Sequence, residues 1–326
     1  MSADAGASVT EIVLPAGRLE EAIDFLVRLG LRLDSIEPAD APAIAVLSGN
    51  GLRIRLDSSA TSTSSPESPP GAPAVELTRA GDVGPVGRAG MRYRDVLPSR
   101  QGGRLIASHI SIADGGPVAD YVHHHDVQFQ VIYCLRGWVR VVYEDQGPPF
   151  VLEAGDCVLQ PPGIRHRVLE SSAGLEVLEV TSPAHHTTTV EHELTLPTPT
   201  QRPDRRFGGQ RFVRHRAADA DWGQWWRGNG EARDAGVGAA TDDLVGVRAV
   251  RPSSSDGASR AHHDGELVLW FVADGATTLQ VDGLSDVRLT RNDAVAILPQ
   301  IEHALVGCSG DLELVEVTCP DRPHLR

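Results

Sequence analysis

The sequence predicts a mainly β protein in which two tandem β-barrels follow a small α+β module. Three observations support this. The 326 residues include 33 glycines and 22 prolines but only 5% aromatic residues, which is typical of short strands joined by tight turns. A tract of serine, threonine and proline separates the first part of the chain from the rest. The remainder contains an internal repeat, and the length suffices for two or three compact units.

In the first unit, residues 1–57, the sequence pattern predicts a strand at 11–14, a helix at 18–29 and strands near 43–47 and 52–56. The pattern TEIVLPAGRLEEAIDFLVRLGLRL, followed by GNGLRIRL, resembles one βαβββ module of the vicinal-oxygen-chelate (glyoxalase-like) superfamily. The resemblance puts Glu11 where such modules often carry a metal ligand, although a strand-edge carboxylate is the favoured interpretation. A single module could pair with its copy in a second chain, so we expect a homodimer.

The segment 58–87 is predicted to be a linker. Its first part, SSATSTSSPESPPGAP, has almost no apolar side chain that could offset the entropy lost on ordering. We therefore expect the first barrel at 88–190, a connection at 191–226 and the second barrel at 227–326. Trp222, Trp225 and Trp226 lie in the connection, where packing between domains is favoured over a substrate cage.

The repeat indicates that one domain was duplicated. GDCVLQPPGIRHRVLESSAGLEVLEVTSP, from Gly155, aligns without a gap to NDAVAILPQIEHALVGCSGDLELVEVTCP, from Asn292. Predicted strands in the first copy fall at 128–134, 138–143, 156–160 and 175–181, and those in the second at 267–272, 277–281, 294–298 and 312–318. Such spacing is typical of a barrel or sandwich. The matched pairs are Asp156 and Asp293, Pro162 and Pro299, His166 and His303, Glu179 and Glu316, and Pro183 and Pro320.

Three histidines in the first copy predict a metal site. His123 and His125 are two residues apart, so an extended backbone projects both imidazoles from one face. A Pro-Pro-Gly turn precedes His166 and can aim this side chain back across the sheet. Three imidazole ligands suit zinc, iron, nickel, copper or manganese.

These residues resemble the two motifs of the cupin superfamily. The first motif, HxH followed by a glutamate and a glycine, is matched by His123, His125, position 130 and Gly137. The second motif, G-x5-P-x-G-x2-H, is matched by Gly155, Pro161, Gly163 and His166. The resemblance implies jelly-roll barrels, hence a bicupin, with a divalent metal in the mouth of the first barrel.

Gln130 stands where the family has glutamate. A neutral amide oxygen is still a possible ligand, but it is a poorer base and gives the site one negative charge less. His124 should point away by strand alternation. Arg165 and Arg167 flank His166 and are candidates for clamping a substrate carboxylate or enolate, or else are solvated charges at a strand end.

The second barrel has a degenerate motif. Alignment of His263 with His125 puts Ala261 at the position of His123, so one ligand is missing. His263, Glu266 and His303 remain as weaker metal candidates. A structural barrel that packs against the first is the favoured interpretation.

Composition excludes several functions. A net charge of -14 and a pI near 5.3 give no basis for binding nucleic acid or an anionic membrane. The chain has no lysine, which excludes Schiff-base chemistry and a P-loop. Four cysteines without CxxC spacing predict buried, reduced thiols, and no signal or membrane segment is evident, so a cytoplasmic location is expected.

The leading functional hypothesis is an Fe²⁺ dioxygenase that acts on a small chelating enol, diketone or phenol, because three neutral histidines can hold Fe²⁺ with open positions. Zn²⁺, Mn²⁺, Ni²⁺ or Cu²⁺ are the other candidate metals. Two alternatives remain: a redox-neutral isomerase, decarboxylase or lyase, and a non-catalytic protein that binds a small molecule. A fold of this kind hosts many functions and does not decide between them.

Overall fold

The computed structural model of the protein describes residues 11–58, 73–81, 90–253 and 257–326. It confirms the mainly β architecture. The N-terminal module begins with β1 at Glu11–Pro15 and α1 at Leu19–Arg28, followed by β2 at Arg32–Glu37, β3 at Ile44–Gly49 and β4 at Leu52–Asp57.

The N-terminal module has the predicted βαβββ order. Its strands lie in the order β1-β4-β3-β2, with β1 parallel to β4, and α1 buries Leu19 and Leu26 against the sheet. The relation to the vicinal-oxygen-chelate superfamily stays a prediction. Glu11 is half-exposed and pairs with Arg53 at 3.0 Å, which fits the strand-edge interpretation.

The first barrel consists of two facing sheets. One has the order β16-β9-β14-β11-β12 and the other β19-β13-β10-β15-β7-β6. Alternate residues of each strand therefore face the space between the sheets. The strands are β6 (Arg92–Asp95), β7 (Ile106–Ile112), β8 (Gly116–Pro117), β9 (His123–His125), β10 (Phe129–Arg136), β11 (Trp138–Tyr143), β12 (Phe150–Glu153), β13 (Cys157–Gln160), β14 (His166–Ser171), β15 (Leu175–Ser182), β16 (Thr188–Val190) and β19 (Val213–His215).

The N-terminal module and the first barrel share one sheet. Strand β2 pairs with β16, and β16 pairs in turn with β9, which carries His123 and His125. Thr188 of β16 lies opposite both Ile36 and His125. The module is thus joined by main-chain hydrogen bonds to the histidine-bearing edge of the barrel.

The second barrel repeats the arrangement with sheets β20-β21-β22-β29-β24-β27-β5 and β23-β28-β25-β26. Short elements between the barrels and at the entry of the second are β17 (Arg206–Phe207), β18 (Gln210–Arg211), β20 (Gly223–Gln224) and α2 (Val237–Ala240). The remaining strands are β5 (Val75–Thr78), β21 (Gly230–Asp234), β22 (Gly246–Pro252), β23 (Ala258–Ala261), β24 (Leu267–Asp274), β25 (Ala276–Val281), β26 (Val287–Thr290), β27 (Ala294–Ile297), β28 (His303–Val306) and β29 (Glu313–Cys319).

Two stretches predicted as connections contain strands. Val75–Thr78, within the predicted linker 58–87, forms the edge strand β5 against Ala294–Ile297 of the second barrel. The rest of that linker, at 59–72 and 82–89, lies outside the described residues. In the predicted connection 191–226, β19 pairs with β13 of the first barrel and β20 with β21 of the second. Short segments that pair with an edge strand satisfy its otherwise unpaired backbone N–H and C=O groups. Local periodicity in the sequence does not predict such pairing.

The barrels pack through the outer faces of β10, β13 and β15 against those of β22, β24 and β29. Val131, Tyr133 and Leu178 of the first barrel share one buried cluster with Leu269 and Val317 of the second. These strands are covered on both faces, which explains why their sequences are nearly continuous apolar runs.

The three tryptophans divide between two places. Trp222 is partly buried against the cluster between the barrels, as predicted, but Trp225 is buried inside the second barrel and Trp226 packs against that same interior cluster. The prediction of inter-domain packing is therefore wrong for these two, because the β20–β21 hairpin turns them into the barrel. The four cysteines are free and buried as predicted, and burial raises the pKa of each thiol.

Candidate metal centre and cavity

The three predicted histidines converge inside the first barrel. His123 of β9 lies directly opposite His166 of β14, and His125 is two residues further on the same face. All three are buried, and one ligand nitrogen from each lies within 4.8 Å of the other two. The turn before His166 needs left-handed backbone at Gly163, where φ is +74°, and this glycine supplies it without strain.

Hydrogen bonds fix the orientation of each ring. Nδ1 of His123 donates to the carbonyl of Tyr121 at 2.8 Å, and Nδ1 of His166 donates to the carbonyl of Ile164 at 3.0 Å. A carbonyl only accepts, so these contacts select the tautomer that carries its lone pair on Nε2. Nδ1 of His125 lies 3.0 Å from the hydroxyl of Thr188. Partners of this kind orient the histidine ligands of metal sites.

Gln130 lines the same cavity as the three histidines. Its strand partners are Gln160 on β13 and Thr181 on β15, so its side chain belongs to the face that lines the cavity. The side chain is buried, and its Oε1 has no hydrogen-bond partner in the described part of the chain. A buried amide oxygen without a donor is costly unless a ligand satisfies it. Three imidazole nitrogens with one such oxygen fit a divalent transition metal.

The cavity at this site is small and mostly apolar. It encloses about 80 Å³. Valines, isoleucines and leucines from both sheets form most of the wall. The polar side chains in the wall, apart from the histidines, are Gln130, Tyr93, Tyr143, Gln160 and Glu179.

Two of these polar groups are positioned by their surroundings. Nε2 of Gln160 donates to the Tyr143 hydroxyl at 2.7 Å, and burial raises the pKa of Tyr143, so this phenol stays protonated.

Glu179 of β15 is half-buried and lies opposite Ile132 of β10. It is two residues from Thr181, the partner of Gln130, and so lies about 7 Å along the strand from the level of Gln130.

The two arginine candidates do not line the cavity. Arg165 and Arg167 precede and follow His166, so alternation turns both side chains to the opposite face of the sheet. Arg165 lies 3.3 Å from Glu191 and 3.6 Å from Glu144. The structure therefore does not bring these arginines to the cavity, which fits the alternative of charges at a strand end. His124 also lies off the cluster, half-buried beside Arg165, as alternation predicts.

Sequence reasoning missed three residues of the site. Thr188 supports His125, and the buried ring of His186 lies 5.5 Å from that of His125. Both lie about sixty residues beyond the HxH motif, so no spacing rule connects them with it. Glu179 could have been identified, because it is among the residues that the repeat retains.

The second barrel lacks an equivalent cluster. Ala261 pairs with His303 as His123 pairs with His166, so the missing ligand is confirmed in the register. The structure does not group Glu266 with these histidines: it precedes β24, and its carboxylate pairs with Arg104 at 2.5 Å on the surface. Val268 occupies the position of Gln130, since Val268 and Gln130 pair with the equivalent strands β27 and β13. Only the first barrel groups three potential metal ligands among the residues described.

Comparisons with known proteins agree with this geometry. Residues 109–181 match a family model described as a cupin domain. No curated protein matches the chain. In the part of the chain that the structure describes, no helix is long and apolar enough to cross a membrane.

Solved structures with a similar fold include oxalate decarboxylases. A structure of the Bacillus subtilis enzyme at pH 4.6 has 14% identity and a TM-score of 0.57 over 80% of each chain. A second, from a study of the Mn(II) centres of that enzyme, has the same identity and TM-score and covers 80% of this chain and 81% of that one. A formate complex from Lactobacillus farciminis has 13% identity and a TM-score of 0.56 over 77% of this chain and 88% of that one.

The matched residues include His123, His125, Gln130 and His166, and the fold similarity extends over both barrels. Residues 109–181 are therefore a cupin domain, and the two barrels together have the bicupin fold.

Proposed function

We propose that the first barrel binds one divalent metal and catalyses a redox-neutral reaction, in the first place decarboxylation, of a small carboxylic acid. The observation that carries this proposal is the grouping of three buried histidines at the wall of a cavity that also contains Glu179. Residues outside the cluster contact the Nδ1 atom of each histidine by hydrogen bonds and so orient the rings. Similarity to oxalate decarboxylases favours this reaction over the dioxygenase hypothesis.

Manganese fits this proposal better than iron. Mn²⁺ accepts mixed nitrogen and oxygen ligands such as three imidazoles and an amide, and the similar Bacillus subtilis enzyme has Mn(II) centres. His123, His125, His166 and Gln130 would hold the ion. Bound there, a divalent cation supplies Lewis-acid stabilisation of negative charge on the substrate.

The cavity favours a substrate with one carboxylate. Its lining contains no arginine among the residues described, so the metal would be the sole cation available to an anion. Glu179 adds a carboxylate to the wall, and a second substrate carboxylate would face it in a largely apolar space. The small volume and apolar wall suit a short monocarboxylic acid better than a dicarboxylate such as oxalate.

Glu179 is the group best placed to transfer a proton. In a decarboxylation the bond between the carboxylate and its neighbouring carbon breaks, carbon dioxide leaves with no change of oxidation state in the protein, and that carbon takes up a proton. Glu179 in its acid form would donate this proton and recover it from solvent. The protonated Tyr143 hydroxyl would donate a hydrogen bond to a substrate oxygen and thereby orient the substrate.

Turnover under argon tests the proposal. Protein reconstituted with Mn²⁺ should release carbon dioxide from one or more members of a panel of short monocarboxylic acids without consuming oxygen. Glu179→Gln should abolish release while metal content is unchanged, and Glu176→Gln, on the same strand and outside the cavity, serves as its control. Turnover that requires oxygen and is matched by oxygen uptake would instead support the dioxygenase.

A further inference from the structure

The second barrel contains a buried cation whose hydrogen-bonding capacity is unused. Arg227 lies in the loop between β20 and β21 and is only 6% exposed. Its Nε, Nη1 and Nη2 atoms are all inaccessible to solvent and have no hydrogen-bond partner among the residues described. A guanidinium group offers five N–H donors, and to bury them without acceptors is strongly unfavourable.

Tryptophans surround this guanidinium group. Its carbon lies 5.1 Å from the ring of Trp270, 5.5 Å from that of Trp226 and 5.9 Å from that of Trp225. These contacts stabilise the positive charge but accept no hydrogen bonds in the guanidinium plane. Trp226 is half-buried, whereas Trp225 and Trp270 are fully buried.

The nearby carboxylate is already used by other donors. Glu316 is fully buried, and its oxygens accept hydrogen bonds from the indole N–H of Trp226 at 2.5 Å, of Trp270 at 2.9 Å and of Trp225 at 3.3 Å. The charge of Glu316 helps to balance Arg227, but no ion pair joins the two side chains in the described structure. An acceptor for Arg227 must therefore come from elsewhere.

Two imidazole lone pairs face the same interior. Nδ1 of His303 donates to the carbonyl of Ile301 at 2.8 Å, which leaves an acceptor at Nε2. His263 donates from Nε2 to the carbonyl of Ile297 at 3.1 Å, which leaves an acceptor at Nδ1. Neither acceptor atom has a partner within the described residues. Burial and the adjacent Arg227 lower the pKa of His303 to about 3, so this ring is neutral at physiological pH.

We propose that the second barrel is a metal-free binding site for a small 2-hydroxymonocarboxylate, held by Arg227. The carboxylate accepts hydrogen bonds from the guanidinium fork, and the hydroxyl group donates to the lone pair of His303 or His263. A metal does not fit here, because Ala261 and Val268 replace two ligands and Arg227 already provides a cation. The duplicated barrels thus bind anions by different means: a metal in the first and a guanidinium group in the second.

Titration with glycolate and acetate tests this site. The protein used carries His166→Ala, so that the first barrel binds no metal and adds nothing to the glycolate binding that is measured. We expect saturable quenching of tryptophan fluorescence by glycolate, with acetate bound about tenfold more weakly because it lacks the hydroxyl donor. Arg227→Gln should weaken glycolate binding by about a hundredfold.

The matched control is Arg251→Gln. Arg251 also stacks on a tryptophan, Trp222 at 4.0 Å, but it is half-exposed and pairs with Glu313. This variant should bind glycolate like the parent protein. Binding unchanged in Arg227→Gln, or absent in the parent, would overturn the proposal. If Arg227→Gln fails to fold, a crystal structure of the parent soaked in glycolate decides: glycolate on Arg227 supports the site, and water alone there contradicts it.

Discussion

Gln130 offers a quantitative test of the metal site, because its Oε1 atom is buried without a donor in the described structure. In the metal-free protein this atom has lost its hydration without replacement, at a cost of about 1–3 kcal/mol. Gln130→Leu removes the polar group and keeps a similar volume. We therefore expect the metal-free variant to be more stable than the parent by about 1 kcal/mol, while its affinity for Mn²⁺ falls about tenfold or more.

Gln130→Glu should have the opposite effect. The three imidazoles around position 130 are neutral as ligands, so an added carboxylate provides the only negative charge among the ligands and should raise Mn²⁺ affinity about 10–100-fold. Without metal, a buried charge without a counterion destabilises the fold or takes up a proton. Thermal unfolding with and without Mn²⁺ measures both effects, since the metal-induced shift should rise in Gln130→Glu and shrink in Gln130→Leu. Equal shifts in both variants and the parent would refute the assignment of Gln130 as a ligand.

Three further predictions concern other parts of the chain. Thr188→Val removes the hydroxyl beside His125 and should lower metal affinity about tenfold, whereas Thr189→Val should not; calorimetric titration with Mn²⁺ distinguishes them. The folded-state pKa of His303, about 3, lies below its unfolded value near 6.5. The unfolded chain therefore binds more protons in this window, and the unfolding free energy should fall as pH drops from about 6.5 towards 3, by a few kcal/mol at most; urea unfolding of His303→Asn should show a flatter pH profile. The homodimer stays a prediction: Phe25 is 54% exposed on α1, and Phe25→Glu should yield monomers in sedimentation if this face is the interface.

The histidine cluster could be predicted because it depends on local geometry. Alternation in an extended strand brings His123 and His125 to one face, and a Pro-Pro-Gly turn reverses the chain before His166. Glu266, a weaker candidate of the second barrel, lies just before β24 and outside this strand geometry. Counted from His263, the position equivalent to Gln130 is Val268, and the strand register confirms this equivalence.

Other features depend on contacts between distant segments. The pairing of β5 with β27 joins residues more than two hundred positions apart, and a four-residue strand beside a serine- and proline-rich sequence carries little periodic signal. Arg227 lies near enough to Glu316 and His303 for their charges to interact only because the β20–β21 hairpin folds into the barrel. Sequence predicted that the second barrel had lost a ligand, but not that a guanidinium group stands in its interior.

Metal content is the most direct test of the central claim that one barrel of two binds a metal. Elemental analysis of protein purified without added metal, and again after saturation with Mn²⁺, should find one divalent ion per chain. His166→Ala should lose this ion and His303→Ala should retain it. Two ions per chain, or an ion that persists in His166→Ala and disappears in His303→Ala, would contradict the account.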